Sequence, residues 1–270
     1  MPMRNQLHRL SKYALCLLLA TSPLRAQDHI GFDRNDYPGD AQLSTLHASF
    51  AFTGYWLNAP PGETSTSWTG KRGIIEKNGF GFLLLWNGKL AAQIDTAGDA
   101  TTLGTKEGAA SAAAAAKEGF PRGAILFLDQ EQGGRLTKPQ KDFLFAWVDA
   151  VIRAGYGAGV YCSGMRVQEQ GGITIRTDED IRAQAGDRKI HFFLYNDQCP
   201  PSPGCVAHPA IETNAAGHAD AWQYAQSPRR SQYTAACAKT YADDGNCYAP
   251  KTTLPVDYNV SASADPSRAR

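Results

Sequence analysis

The sequence predicts an α/β protein of the closed (β/α)8 barrel type, irregular in its last third, and three observations lead there. Eight short apolar runs rich in branched and aromatic residues recur along 270 residues. Helical patterns lie between most of them, and strands with near-continuous apolar runs are the mark of a parallel sheet covered on its outer face. No Gly-x-Gly-x-x-Gly turn follows the first run, which weakens an open dinucleotide-binding sheet.

The runs fall at 29–33, 49–56, 79–86, 123–129, 155–161, 190–195, 221–225 and 254–260. Each reads as a strand. The clearest helix follows the fourth run: Thr137 with Gln140 forms a capping box, Phe143, Leu144, Trp147 and Val151 share a face, and Gly155 stops it. A second helix is expected over about 105–118, where an alanine run ends at Gly119 and its small side chains would let it lie close to the sheet. Shorter helices are expected over 41–47, 68–78 and 177–186. The last three strands are joined by loops rich in Pro, Gly and Cys, hence the expected irregularity.

Composition bounds the chemistry. A hydrophobic content of 43% supports a substantial core and argues against disorder. Arg4, Arg9 and Lys12, the apolar run 13–20 and the small and polar residues up to Ala26 predict a secretory signal peptide over residues 1–26, too short to span a bilayer, so no stable membrane insertion is expected. One domain is expected over residues 27–270, secreted or periplasmic. Cleavage would remove four basic residues (Arg25 is the fourth) and no acid, moving the formal charge from +1 to −3 and leaving no bulk attraction to nucleic acid.

Export lets cysteines pair. The short spacings favour Cys199–Cys205 and Cys237–Cys247, leaving Cys162 as a buried thiol with no activating histidine in view. His208, Glu212 and His218 lack the spacing of a zinc site and read as solvated. No metal or cofactor is called for, and the sequence leaves the oligomeric state open.

The candidate chemistry lies at strand ends. Alternation puts Asp129 and Glu131 on one face, and the end of a barrel strand delivers that face to the barrel mouth, where Gly133 and Gly134 turn the chain away. The same reasoning brings Asp33 and Asp257 to the mouth. Clustered acids in a dry cleft raise at least one carboxyl pKa, so that one group holds a proton while a neighbour stays charged, the arrangement glycoside hydrolysis needs. A divalent cation is the competing use of such acids, although no EF-hand loop supports it. Tyr37, Trp86, Tyr161, Tyr195, Trp222 and Tyr224 are candidate sugar-stacking surfaces.

In order, "GFDRNDYPG", "FLDQEQGG", "GVYCSG", "AWQY" and "PVDYN" resemble a secreted bacterial glycoside-hydrolase-like family related to the family 25 lysozymes, over roughly residues 29–260. The resemblance implies a modified barrel, (β/α)5(β)3, and cleavage of peptidoglycan between N-acetylmuramic acid and N-acetylglucosamine with retention. By it Glu131 corresponds to the general acid/base and Asp129 to the group that orients the N-acetyl group or stabilises charge. Asp33 and Asp257 would tune that pair and hold substrate. The activity of the nearer family is not generally established, and a non-catalytic cell-wall glycan-binding protein is the alternative. A cell-envelope structural protein is a third possibility.

Overall fold

The computed structural model describes residues 28–206, 208–214 and 217–270; the expected signal peptide lies outside the described residues. Chain order gives β1 (His29–Asp33), α1 (Leu43–His47), β2 (Phe52–Trp56), α2 (Arg72–Lys77), β3 (Gly81–Asn87), α3 (Ala91–Ala97), α4 (Ala100–Lys117), β4 (Ile125–Asp129), α5 (Lys138–Arg153) and β5 (Gly157–Ser163). A small hairpin follows, β6 (Val167–Gln168) and β7 (Thr174–Ile175), then α6 (Thr177–Gln184), β8 (Ile190–Tyr195), β9 (Ala221–Ala225), α7 (Ser231–Thr234) and β10 (Asp257–Ser261).

Eight strands close a barrel in the spatial order β1-β10-β9-β8-β5-β4-β3-β2. All neighbouring pairs are parallel except the two made by β10, which runs antiparallel to both β9 and β1. The predicted TIM-like barrel is therefore the observed one, with five strand–helix units followed by three strands. The apolar runs marked its strands because both faces of each strand are buried, one by the barrel interior and one by the outer layer. Inside, small residues make room for large ones: a Cβ on Gly159 of β5 would sit 2.4 Å from the ring of Phe127 on β4. Phe127 in turn meets Phe193 of β8 edge-on, with centroids 6.2 Å apart.

The expected capping box of α5 is present: Thr137 Oγ1 accepts from the Gln140 amide, and Gln140 Oε1 accepts from the Thr137 amide. Its apolar face, Phe143, Leu144, Trp147 and Val151, is fully buried. The small face of α4 has a different partner from the one expected. Its closest approach is to α5, because a Cβ on Gly104 would meet the Phe143 carbonyl at 2.2 Å and one on Gly108 the Trp147 carbonyl at 2.6 Å. The alanine-rich stretch thus seats one helix on another.

The last third is held by two disulfides, and their pairing corrects the expectation. The bridges are Cys199–Cys237 and Cys205–Cys247, with Cα atoms 5.7 and 5.4 Å apart. Short spacing favoured bridges within each loop, but the two loops lie side by side and are stitched across. The Cys199 amide donates to the Tyr233 carbonyl, the Cys205 amide donates to Thr240 Oγ1, and Gly204 packs on Thr240. Cys162 is fully buried and unbridged. His218 is not solvated as expected: its Nε2 lies 3.0 Å from the buried Asp178, and its ring packs against Phe192. No helix among the described residues is long and apolar enough to cross a membrane.

The end of the barrel opposite the mouth is plugged by the C-terminal segment. Asp265 Oδ1 and Ser267 Oγ accept from the amides of Phe82 and Leu84, and the Ser267 carbonyl accepts from Ile125.

Candidate active site

At the mouth, Asp33, Asp129, Glu131 and Asp257 line one cavity of about 180 Å³ together with Tyr161 and Gln223. Asp33 ends β1, and the room it needs comes from β2, where a Cβ on Gly54 would lie 2.5 Å from that of Asp33. Asp129 ends β4. The ladder continues one residue further, since the Gln130 amide donates to the Tyr161 carbonyl, and Glu131 then points to the same side as Asp129. Gly134 makes the turn at φ 83°, a conformation that favours glycine. Gln132 Oε1 accepts from the Ala91 amide and from Gln140 Nε2, tying the acid-bearing loop to α3 and α5.

Asp257 reaches the mouth by another route from the one alternation suggested. It is the first residue of its strand, and it arrives there because β10 runs against its neighbours, pairing Asp33 with Asp257 in register. Asp33 Oδ2 accepts from Asn259 Nδ2 at 2.8 Å and from Gln223 Nε2 at 3.0 Å. Asp257 Oδ2 accepts from the same Gln223 nitrogen at 3.2 Å, and its Oδ1 from the Ser227 amide at 2.6 Å. By contrast, Asp129 Oδ1 is buried with no partner among the described residues. An orphaned buried acceptor costs roughly 1–3 kcal/mol, a deficit that a ligand's donor would relieve.

Burial dominates the electrostatics. It pushes the Asp33 carboxyl up to about 6, against the lowering effect of the Asn259 and Gln223 amides. It pushes Asp129 and Asp257 well above the ordinary carboxylate range, with Glu131 and Asp33 adding to the rise at Asp129 and Asp33 adding to it at Asp257. Glu131 itself is exposed on the rim. Among the described residues, no group of three or more His, Cys, Asp or Glu is arranged to hold a metal ion.

The expected aromatic surfaces divide. Tyr161 lines the cavity, and Tyr195 stands beside it, centroids 5.4 Å apart, buried under Arg230. Tyr37 sits on a rim loop against Trp68 and Lys71, its hydroxyl donating to Asp40. Trp86, Trp222 and Tyr224 are core residues and not glycan surfaces. Their strand neighbours Leu85 and Gln223 face the cavity, so alternation turns the three rings outward, where the Trp86 indole donates to Glu107 and that of Trp222 to the Asn196 carbonyl.

Sequence reasoning missed Trp56 and Gln223. Trp56 ends β2, lines the cavity and holds a buried indole N–H with no partner among the described residues. Its position two residues past Gly54 was the available signal. Gln223 was legible as a lone polar residue between two aromatics in "AWQY".

A second hollow, of about 270 Å³, shares Pro61, Asp129 and Glu131 with the first and continues along Asn87, Lys89, Leu90 and Gln93. The acid pair therefore stands at the junction of two lobes. A larger hollow of about 830 Å³ lies at the plugged end, where Arg188 and Asp149 pair at 2.8 Å. It holds no cluster of buried unpaired acids, and volume alone does not mark a site.

Three solved structures share the fold. An uncharacterized protein of B. stearothermophilus matches with a TM-score of 0.54 and 16% identity, over 86% of this chain and 95% of that one. The Tat-secreted protein Rv2525c of Mycobacterium tuberculosis, in complex with L-tartrate, matches with 0.51 and 13%, over 87% and 95%. The spore cortex lytic enzyme SleM of Clostridium perfringens matches with 0.51 and 14%, over 87% and 68%. No curated protein matches the sequence. Residues 73–259 match the Rv2525c-like, glycoside hydrolase-like domain, and with more than half of its length in that match the chain belongs to this family.

Proposed function

We propose that the protein is an exported glycoside hydrolase that cleaves peptidoglycan or another N-acetylated glycan at the barrel mouth. The observation that carries the reading is the junction at Asp129 and Glu131: two hollows meet at an acid pair, one member buried with an orphaned oxygen and the other exposed. A glycan lying through both lobes would present its glycosidic bond there. The family's glycoside hydrolase-like character and a barrel shared with a lytic enzyme support the assignment. Two disulfides agree with an oxidising compartment outside the cytoplasm.

In this mechanism Glu131 gives its proton to the glycosidic oxygen as the bond to the anomeric carbon breaks. The acetamido N–H donates to Asp129 Oδ1, and the acetamido carbonyl oxygen bonds to the anomeric carbon in place of the leaving sugar. Water then opens that ring, its proton passing to Glu131, with retention of configuration. Tyr161 and Trp56 flank the sugar.

Purified protein incubated with peptidoglycan and a panel of N-acetylated glycans tests the reading by release of reducing ends. Binding without release would replace it with a glycan-binding function. Absence of both would remove glycans from consideration.

A further inference from the structure

We propose that Gln223 is a positioning residue: its one amide nitrogen, hydrogen-bonded to both Asp33 and Asp257, holds the two carboxyl groups side by side and favours their ionised forms. The amide has no freedom to flip. Its Oε1 accepts from the Tyr161 hydroxyl at 2.7 Å and from Gln226 Nε2 at 2.8 Å, so its nitrogen must face the acids. The side chain has little freedom to move either, because Trp222 and Tyr224 on the same strand are fully buried on the outer face.

Each carboxyl group has one further donor. Asp33 accepts also from Asn259, on the oxygen that Gln223 already serves, and Asp257 accepts also from the Ser227 backbone N–H. N–H donors favour the ionised form of their acceptor, and two adjacent buried carboxylates disfavour double ionisation. Gln223, the one donor common to both, therefore lowers the cost of charging either. Other charges face the pair from every side: Asp129 and Glu131 from β4 and its loop, Tyr161 from β5, and the Asp197–Arg230 ion pair beyond β8. Arg230 is taken up by the fully buried Asp197 and lies between the rings of Tyr195 and Tyr233, so its favourable pull on Asp257 is the weakest influence there.

The proposal rests on the glycosidase reading only for its catalytic consequence, which is a fixed carboxylate pair held across the cavity from Asp129 and Glu131. Its test needs no substrate. Carboxyl ¹³C resonances of labelled aspartate are followed through a pH titration in wild type, Gln223→Met and Tyr161→Phe. Gln223→Met keeps the length of the side chain but donates nothing, and it is expected to raise the midpoints of both Asp33 and Asp257 by about 1–2 pH units, the worth of one hydrogen bond to a charged group. Tyr161→Phe removes the hydroxyl that holds the amide oxygen, together with its contact to Gln226, and should move both midpoints in the same direction by less. Should Gln223→Met fail to fold, Tyr161→Phe decides alone. Unchanged midpoints would overturn the proposal, since a residue that merely fills space does not alter titration. A protein that cleaves no glycan can still show the shift, and an active one can still lack it, so the two readings fail separately.

Discussion

Asp129 and Asp257 stand on strands four places apart around an eight-stranded ring, on opposite sides of one cavity, and are held there by different constructions. Behind Asp129 the support is helical: α4 and α5 pack at glycine distance, and α5 ties back to the acid loop through Gln140 and Gln132. Behind Asp257 there is almost no helix. Two cross-loop disulfides and the Ser227 turn hold that side, with Ser227 Oγ accepting from the Cys247 amide while its own amide bonds Asp257. The hydrogen bonding of the two acids differs to match. The seam side satisfies its carboxylates with side-chain amides, while the helical side leaves Asp129 Oδ1 empty. A site needs one group prepared for the ligand and others fixed beforehand, and here the two jobs are divided between two kinds of scaffold.

The largest effect that would sharpen this contrast is on turnover. Glu131→Gln keeps shape but removes the transferable proton, and general acid/base transfer is typically worth ~10²–10⁴-fold in rate. Loss of kcat on that scale, with binding retained and no loss of stability, is expected on whichever glycan is cleaved. Full kcat in the variant would move the acid role elsewhere at the mouth.

Breaking the seam side comes next. Each bridge spans about forty residues, and loops of that size are stabilised by about 2–4 kcal/mol when closed. Cys205→Ala with Cys247→Ala should therefore lower the unfolding free energy by that amount, read from denaturant melts, and loosen the Asp257 turn, because Cys247 adjoins the Ser227 contact. Non-reducing peptide mapping of the wild type should recover 199 with 237 and 205 with 247. Recovery of 199 with 205 would mean that the loops do not lie side by side.

The contrast also explains what could be read in the chain beforehand. The helical side was legible: a buried strand is apolar throughout, a capping box announces α5, and two acids at i and i+2 after an apolar run share a face. The seam side was not, because strand direction leaves no mark in an apolar run, and Asp257 looked like a strand end when it is a strand start. Disulfide spacing measures distance along the chain, whereas the loops meet across space. Trp222 and Tyr224 were misjudged for a simpler reason: in "AWQY" the polar residue is the inward one, and the aromatics follow the opposite parity. The α3 helix escaped notice since its N-cap is Leu90, which offers no capping oxygen; Gln93 reaches back to the Leu90 amide instead.

A smaller effect tests the cost of burying Asp33. Its carboxyl rises from 3.8 to about 6 on folding, so between those values the folded chain holds a proton that the unfolded chain has lost. Stability is then greatest at the acid end of the window and falls as pH rises through about 6. A shift of that size corresponds to on the order of 3 kcal/mol at neutral pH. The wild type should melt higher at about pH 5 than at about pH 7.5. Asp33→Asn should be more stable than wild type at neutral pH and lose that advantage near pH 4, since one amide oxygen can accept from both Gln223 and Asn259. A neutral-pH loss of stability would mean that the charge on Asp33 is structurally required.

The smallest effect concerns the helical side. A methyl group added at Gly104 would lie 2.2 Å from the Phe143 carbonyl oxygen and 3.0 Å from Ala146 Cβ, and both are helix positions that cannot swing aside as a long side chain would. Overpacking of this kind typically costs about 1–3 kcal/mol, while alanine in place of glycine inside a helix returns about 1 kcal/mol. Gly104→Ala is therefore expected to destabilise by about 1 kcal/mol net, read from denaturant midpoints at an unchanged slope. The functional consequence should exceed what that figure suggests, because any outward step of α5 pulls on Gln140, Gln132 and the loop that carries Glu131. A gain in stability with unaltered glycan binding would show that the two helices can part without disturbing the acid pair, and that the mouth owes its shape to the strands alone.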